Sequence, residues 1–216
     1  MHIPTSDTKN VAVTAFADAL AQERMGSADY DTEKWIYVPN KYEEYRYILG
    51  TRGNNPLICI GINPSTAAPG ALDNTLKSVE RIAHSNGYDS FIMFNVYAQR
   101  ATNPDDMEES LNEYMHAENM KAFEYILSEC ESLRPSVWAA WGTIIDKRAY
   151  LPACVSDMIE IGKKYNAEWY SCGPVSLKGH PHHPLYLKKD STLDPFDIES
   201  YIRARLSAAI DLKVTT

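Results

Sequence analysis

Two asparagines and a cluster of histidines are the residues of this chain best suited to chemistry. Asn63 follows the apolar run Leu57-Ile-Cys-Ile-Gly-Ile62 and precedes Pro64, Ser65 and Thr66. Asn95 closes a second apolar run, Ser90-Phe-Ile-Met-Phe-Asn95. His180, His182 and His183 stand together in His180-Pro-His-His-Pro184. An amide side chain both donates and accepts, so it can read the edge of a base or orient a water. A histidine can donate to a leaving group or, when neutral, accept a proton. The loop after Asn95 adds Tyr97 as a stacking surface and Arg100 as a fork for phosphate or carboxylate. Each has a plainer reading. Asn63 serves as a turn former before proline, Asn95 as a strand cap, Tyr97 as packing and Arg100 as half of a salt bridge. Asp73 reads as a helix cap rather than a catalytic carboxylate.

These residues need a scaffold that brings them to one place. The segments 57–62, 90–95, 136–141 and 167–172 read as buried strands, and 73–86, 116–130 and 144–161 as helices, the last with Pro152 as a break point. Helices are also expected over 10–24 and 195–211, and a hairpin over 35–38 and 45–49 around Pro39-Asn40-Lys41. Buried strands alternating with helices imply a parallel sheet covered on both faces. In such sheets ligands bind beyond the carboxyl ends of the strands. Asn63, Asn95, Gly142 and the histidine loop all follow a predicted strand in the same direction. They are therefore expected to share one edge, in a single domain spanning 1–216 with its core at about 35–190.

Composition bounds the function. The 216 residues carry a net charge of −8, which argues against indiscriminate nucleic-acid binding. Charge is uneven, however. Residues 104–134 hold nine acidic and two basic side chains, whereas 163–189 hold five lysines against Glu168. The bland account is a solvated acidic face and scattered surface lysines; the sharper one places the basic segment toward the ligand. No apolar stretch approaches the roughly 20 residues of a membrane span. The first residues lack the basic and apolar parts of a signal peptide. Cys59, Cys130, Cys154 and Cys172 form no Cys-x-x-Cys pair, so free thiols in a reducing cytoplasm are expected. The histidines are interrupted by prolines and lack helical spacing or a nearby acid, so no metal or other cofactor is expected. His2, His84 and His116 read as surface residues. Phosphate-loop, dinucleotide and nucleophile-elbow glycine patterns are missing, which disfavours nucleotide triphosphatases, nicotinamide enzymes and serine hydrolases.

The segments Asn63-Pro-Ser-Thr-Ala67, Asp73-Asn-Thr75, Asn95-Val-Tyr-Ala-Gln-Arg-Ala-Thr102, Trp141-Gly142 and His183-Pro-Leu-Tyr-Leu187 resemble the domain of unknown function 1643 family, over roughly 35–190. More distantly, Gly61-Ile-Asn-Pro64, the asparagine-terminated strand at Asn95, Trp141-Gly142 and His183-Pro184-Leu185 are similar, in the same order, to motifs of the uracil-DNA glycosylase superfamily. Ser65 stands where that superfamily's mismatch-specific branch has glycine, and the late loop is His-Pro-His-His-Pro rather than His-Pro-Ser-Pro. The resemblance implies a three-layer α/β/α sandwich around a mostly parallel four-stranded sheet. It implies hydrolysis of an N-glycosidic bond to a modified or damaged base, in nucleic acid or a nucleotide. Asn63 would orient the water and His183 would bond the departing base. Asn95 would read the base and Tyr97 would stack on it, with Arg100, Ser65, Thr66, Gly142 and His180 completing the binding surface. The rival expectation is a protein that holds a nucleotide or modified base in the same pocket without turnover.

Overall fold

The structure, a computed structural model, describes residues 1–5, 7–25, 28–130 and 134–206. Its centre is one sheet of seven strands: β1 (Trp35–Val38), β2 (Ile48–Thr51), β3 (Pro56–Gly61), β4 (Ser90–Asn95), β5 (Ser136–Ala139), β6 (Glu168–Cys172) and β7 (Leu193–Pro195), in the order β1-β2-β4-β3-β5-β6-β7. The four strands expected from the sequence are the parallel centre, β4-β3-β5-β6. The expected four-strand sheet is corrected to seven because β1, β2 and β7 add antiparallel edges. Gly50 lets β2 reach β4: a Cβ there would strike the Phe91 carbonyl. The hairpin is thus part of the sheet, and its second strand begins later than the expected 45–49.

Alternation along β3 divides the core. Ile58 and Ile60 enter one apolar cluster, and Leu57 and Cys59 the other. The second cluster is closed by α2 (Asn74–Ser85) through Leu76, Val79 and Ile82. The first is closed by α1 (Phe16–Arg24), α3 (Glu113–Glu129) and α4 (Leu151–Lys164), through Phe16, Phe123, Ile126, Val155 and Ile159. Helices therefore lie on both sheet faces. Asp73 caps α2 by accepting from the Leu76 N–H at 2.9 Å, and Asn112 caps α3 through Met115.

Three helix expectations are revised. The first helix starts at Phe16, not residue 10. Thr14 donates to the Tyr45 hydroxyl and accepts from the Tyr47 hydroxyl, both at 2.9 Å, so its backbone is bonded away from a helix. Pro152 begins α4 instead of breaking a helix, consistent with proline's missing N–H being harmless in the first turn. The closing segment pairs as β7 before α5 (Ile198–Tyr201), which continues as a wider π turn over Ile202–Leu206. The last part of the expected helix, 207–211, lies outside the described residues. His116 is buried, not superficial, with Nε2 2.8 Å from Asp157.

Candidate functional site

A cleft of about 700 Å³ opens at the carboxyl ends of β3, β4 and β5. Its walls are the 61–66 turn, the first turn of α2, residues 101–104, residues 142–144 and the loop 181–185. Asn63, Ser65, Thr66, Asn95, Gly142 and His183 line it; Tyr97, Arg100 and His180 do not.

Asn63 is fixed by its nitrogen. Nδ2 donates to the Ala101 carbonyl at 2.7 Å and the Pro64 carbonyl at 3.1 Å. Among the described residues nothing donates to Oδ1, so the acceptor is left for a ligand or water. Pro64 holds the turn in place, its carbonyl also accepting from the Ala101 N–H at 2.9 Å. Ser65 Oγ lies 3.0 Å from Thr102 Oγ1, tying this turn to the chain after β4.

Asn95 is the opposite case. It is 1 % exposed, and neither Oδ1 nor Nδ2 has a partner among the described residues. Only its backbone is engaged, with the carbonyl accepting from Asn119 Nδ2 at 3.0 Å. Gly61 pairs with Asn95 across the sheet, and a Cβ there would come within 3.3 Å of Asn95 Oδ1. The same Cβ would strike Met93 Cε at 2.6 Å, so the glycine makes room for both neighbouring side chains.

The histidine loop divides between site and support. Gly142, at φ +62°, lets the loop settle on the end of β5; a Cβ there would touch His183 Cβ at 3.4 Å. His183 Nδ1 accepts from the Leu185 N–H at 3.3 Å. Burial, followed by the neighbouring His182, lowers the His183 pKa against an opposing pull from Asp73. Burial thus favours the neutral ring, and with Nδ1 accepting, the proton of that form sits on Nε2 as a donor. His180 is instead an anchor, 4 % exposed, with Nδ1 2.9 Å from the Tyr201 hydroxyl and Nε2 3.3 Å from Asp146. Tyr201 also accepts from Trp141 Nε1 at 2.9 Å. Burial lowers the His180 pKa despite Asp146. The far end of the loop is held by α2: Ser78 Oγ donates to the Pro184 carbonyl at 2.8 Å.

Tyr97 and Arg100 are built into the protein. Tyr97 is 0 % exposed; its hydroxyl donates to Glu108 and accepts from the Asn112 N–H at 2.9 Å. Burial raises its pKa, and Glu108 raises it further. Its ring packs on Tyr150 at 4.9 Å between centroids, so it offers no stacking face to the cleft. Arg100 donates to the carbonyls of Ser65 and Ala67 and, at 2.8 Å, to the Tyr37 hydroxyl, beneath the Tyr42 ring. It shapes the turn from behind. The arginine that reaches the cleft is Arg46, which lies in the segment 45–49 expected as a hairpin strand and carries no sequence motif for a site. Asp73 also lines the cleft while capping α2.

The lysines of 163–189 do not line the cleft. Lys178 pairs with Asp146 at 2.8 Å, Lys163 with Glu160 and Glu199, and Lys164 with Glu124. Among the described residues, no group of three or more His, Cys, Asp or Glu is placed to hold a metal ion, and no helix is long and apolar enough to cross a membrane. The four cysteines are free thiols.

A mixed, mostly parallel sheet of seven strands with helices around it and a cleft at the carboxyl edge of its parallel strands defines an α/β protein. Within that class the chain belongs to the family described as Protein of unknown function (DUF1643), whose model matches residues 46–185. No curated protein and no solved structure matches the chain.

Proposed function

We propose that the cleft binds a nucleotide-type ligand and hydrolyses its N-glycosidic bond by positioning a water. One observation carries this reading: Asn95 presents a buried amide with both polar atoms free. Leaving such a group unpaired costs about 1–3 kcal/mol, and a base edge with a matching donor and acceptor removes that cost. Asn63 Oδ1, the free acceptor at the end of the neighbouring strand, holds the water. His183 donates from Nε2 to the departing base. The resemblance of Gly61-Ile-Asn-Pro64 to the first glycosylase motif supports the same assignment. Asparagine is no strong base, so the site works by orientation and by stabilising developing charge. That suits a base whose bond is already weak. A small ligand fits better than a strand, because none of the lysines of 163–189 lines the cleft.

The test is to incubate the protein with nucleoside monophosphates and with DNA rich in modified bases, and to measure released free base by mass spectrometry. Asn63→Ala is expected to lower release by roughly 10²-fold with folding intact. Release that is unchanged in this variant removes Asn63 from the mechanism, and no release from any substrate removes the hydrolase. The second reading is binding without turnover. It is favoured by Asp73, the one carboxylate lining the cleft among the described residues, being used to cap α2. Ligand binding with no free base would support it.

A further inference from the structure

The structure points to Arg46 as the anion-binding residue of this cleft, and we infer that the ligand it takes carries a terminal phosphate. This deepens the nucleotide reading by fixing the charge of the ligand. Arg46 is 1 % exposed, yet it lines the cleft and its Nε has no acceptor. Its Nη1 donates to the Ala67 carbonyl at 3.2 Å, and Arg100 Nη1 shares that carbonyl at 3.3 Å. Two buried guanidiniums thus stand side by side. Among the described residues both guanidiniums bond carbonyls or a hydroxyl and neither is in an ion pair, although Asp73 favours the charged form of Arg46 through space. Burial of one cation is costly, and a second like charge beside it adds to the cost. Burial and then Arg100 draw the Arg46 pKa down to about 9, which still leaves it cationic at neutral pH. The missing partner is an anion.

Three further features favour phosphate. The guanidinium fork matches a tetrahedral oxyanion. The first turn of α2, a helix of 12 residues, lines the same cleft, and the N–H groups of Asn74 and Thr75 there lack intrahelical acceptors, that of Leu76 being taken by Asp73. Thr66 and Thr75 add hydroxyl donors. Asp73 opposes an anion here, but as one carboxylate turned to the Leu76 N–H, against Arg46 in the cleft wall, Arg100 behind it and the N–H groups of Asn74 and Thr75. Depth decides the kind of phosphate. An internal phosphodiester would have to carry chain through the cleft on both sides of a buried arginine. A terminal phosphate enters alone.

The experiment titrates the wild-type protein with ribose 5-phosphate and with ribose at constant ionic strength, by calorimetry and thermal shift. Ribose 5-phosphate is expected to bind and stabilise, and ribose to do neither. Arg46→Met should weaken ribose 5-phosphate binding by at least about tenfold, the loss expected for a charge-assisted hydrogen bond. Should Arg46→Met fail to fold, Arg46→Lys keeps the charge without the fork and should still weaken binding measurably. Equal responses to the two sugars, or undiminished binding by the folded variants, overturn the proposal. Equal affinity for a short oligonucleotide lacking terminal phosphates overturns the terminal-phosphate assignment. Neither readout requires turnover, so phosphate binding without base release rejects the hydrolase and leaves this inference standing.

Discussion

Two buried polar regions of this protein are almost equally shielded from water and bonded in opposite ways. Around Glu108 every donor is met. The Thr8 N–H and hydroxyl both reach its carboxylate at 2.8 Å, Tyr97 donates to it, and Asn112 Nδ2 donates back to Thr8 Oγ1 at 2.9 Å. The Glu108 N–H is taken by Gln99 Oε1 at 2.9 Å. At the floor of the cleft, Asn95 has an amide with no partner and Arg46 an Nε with none. Closed networks of the first kind hold a fold together. Open groups of the second kind raise the energy of the protein until something pairs with them. Burial alone does not separate the two; satisfaction does.

Substitutions can break or sharpen this contrast. The largest effect is expected at Glu108. Glu108→Ala strands the Thr8 N–H and hydroxyl and the Tyr97 hydroxyl, and should cost about 3 kcal/mol in urea unfolding. A cost under about 1 kcal/mol would show that the network is not what holds this region. Asn95→Leu should behave differently. It removes two unpaired atoms at nearly constant volume, so stability should stay within about 1 kcal/mol of wild type or rise. Ligand binding should be lost. A penalty as large as that of Glu108→Ala would mean that Asn95 is bonded after all, and the contrast would collapse.

The smallest effect concerns pH. His180 and His183 are both held below the ordinary histidine pKa, with burial the first cause. For His180 the surroundings are mixed: Asp146 favours its charged form, while Lys178 and Arg205 oppose it. A group depressed on folding binds more protons when unfolded. Its stabilisation is therefore complete above the unfolded value, about 6.5, and is lost as pH falls toward the folded one. The thermal midpoint should decline between about pH 7 and pH 5, and His183→Gln should flatten that decline. An identical pH profile in the variant would show that His183 is as solvated in the folded chain as in the unfolded one.

Much of the scaffold was legible because it depends on local pattern. The runs ending at Gly61 and Asn95 are too apolar for anything but a buried strand, and each is followed by a residue that cannot prolong it quietly. Asn63 and Asn95 share the cleft lining because parallel strands point their ends the same way. The edges were less legible. Leu193–Pro195 has the composition of a loop and pairs only because β6 lies beside it. Tyr97 and Arg100 look like ligand groups by type and position. Their real partners are Glu108, hidden in an acidic run that reads as solvated, and carbonyls that carry no sequence signature. Arg46 was the reverse. A cation between Tyr45 and Tyr47 in an inward-packed segment was the available signal, and it is readable only once burial on both sides is suspected.

The histidine loop is pinned outside its own span, at His180 by Tyr201 and Asp146 and at Pro184 by Ser78. Between those pins, Pro181, His182 and His183 form one jaw of a vice whose other jaw is the sheet edge. Neither pin belongs to the jaw. Its three residues belong to neither apolar cluster, so this wall of the cleft stands apart from the packing that holds the sheet and helices together.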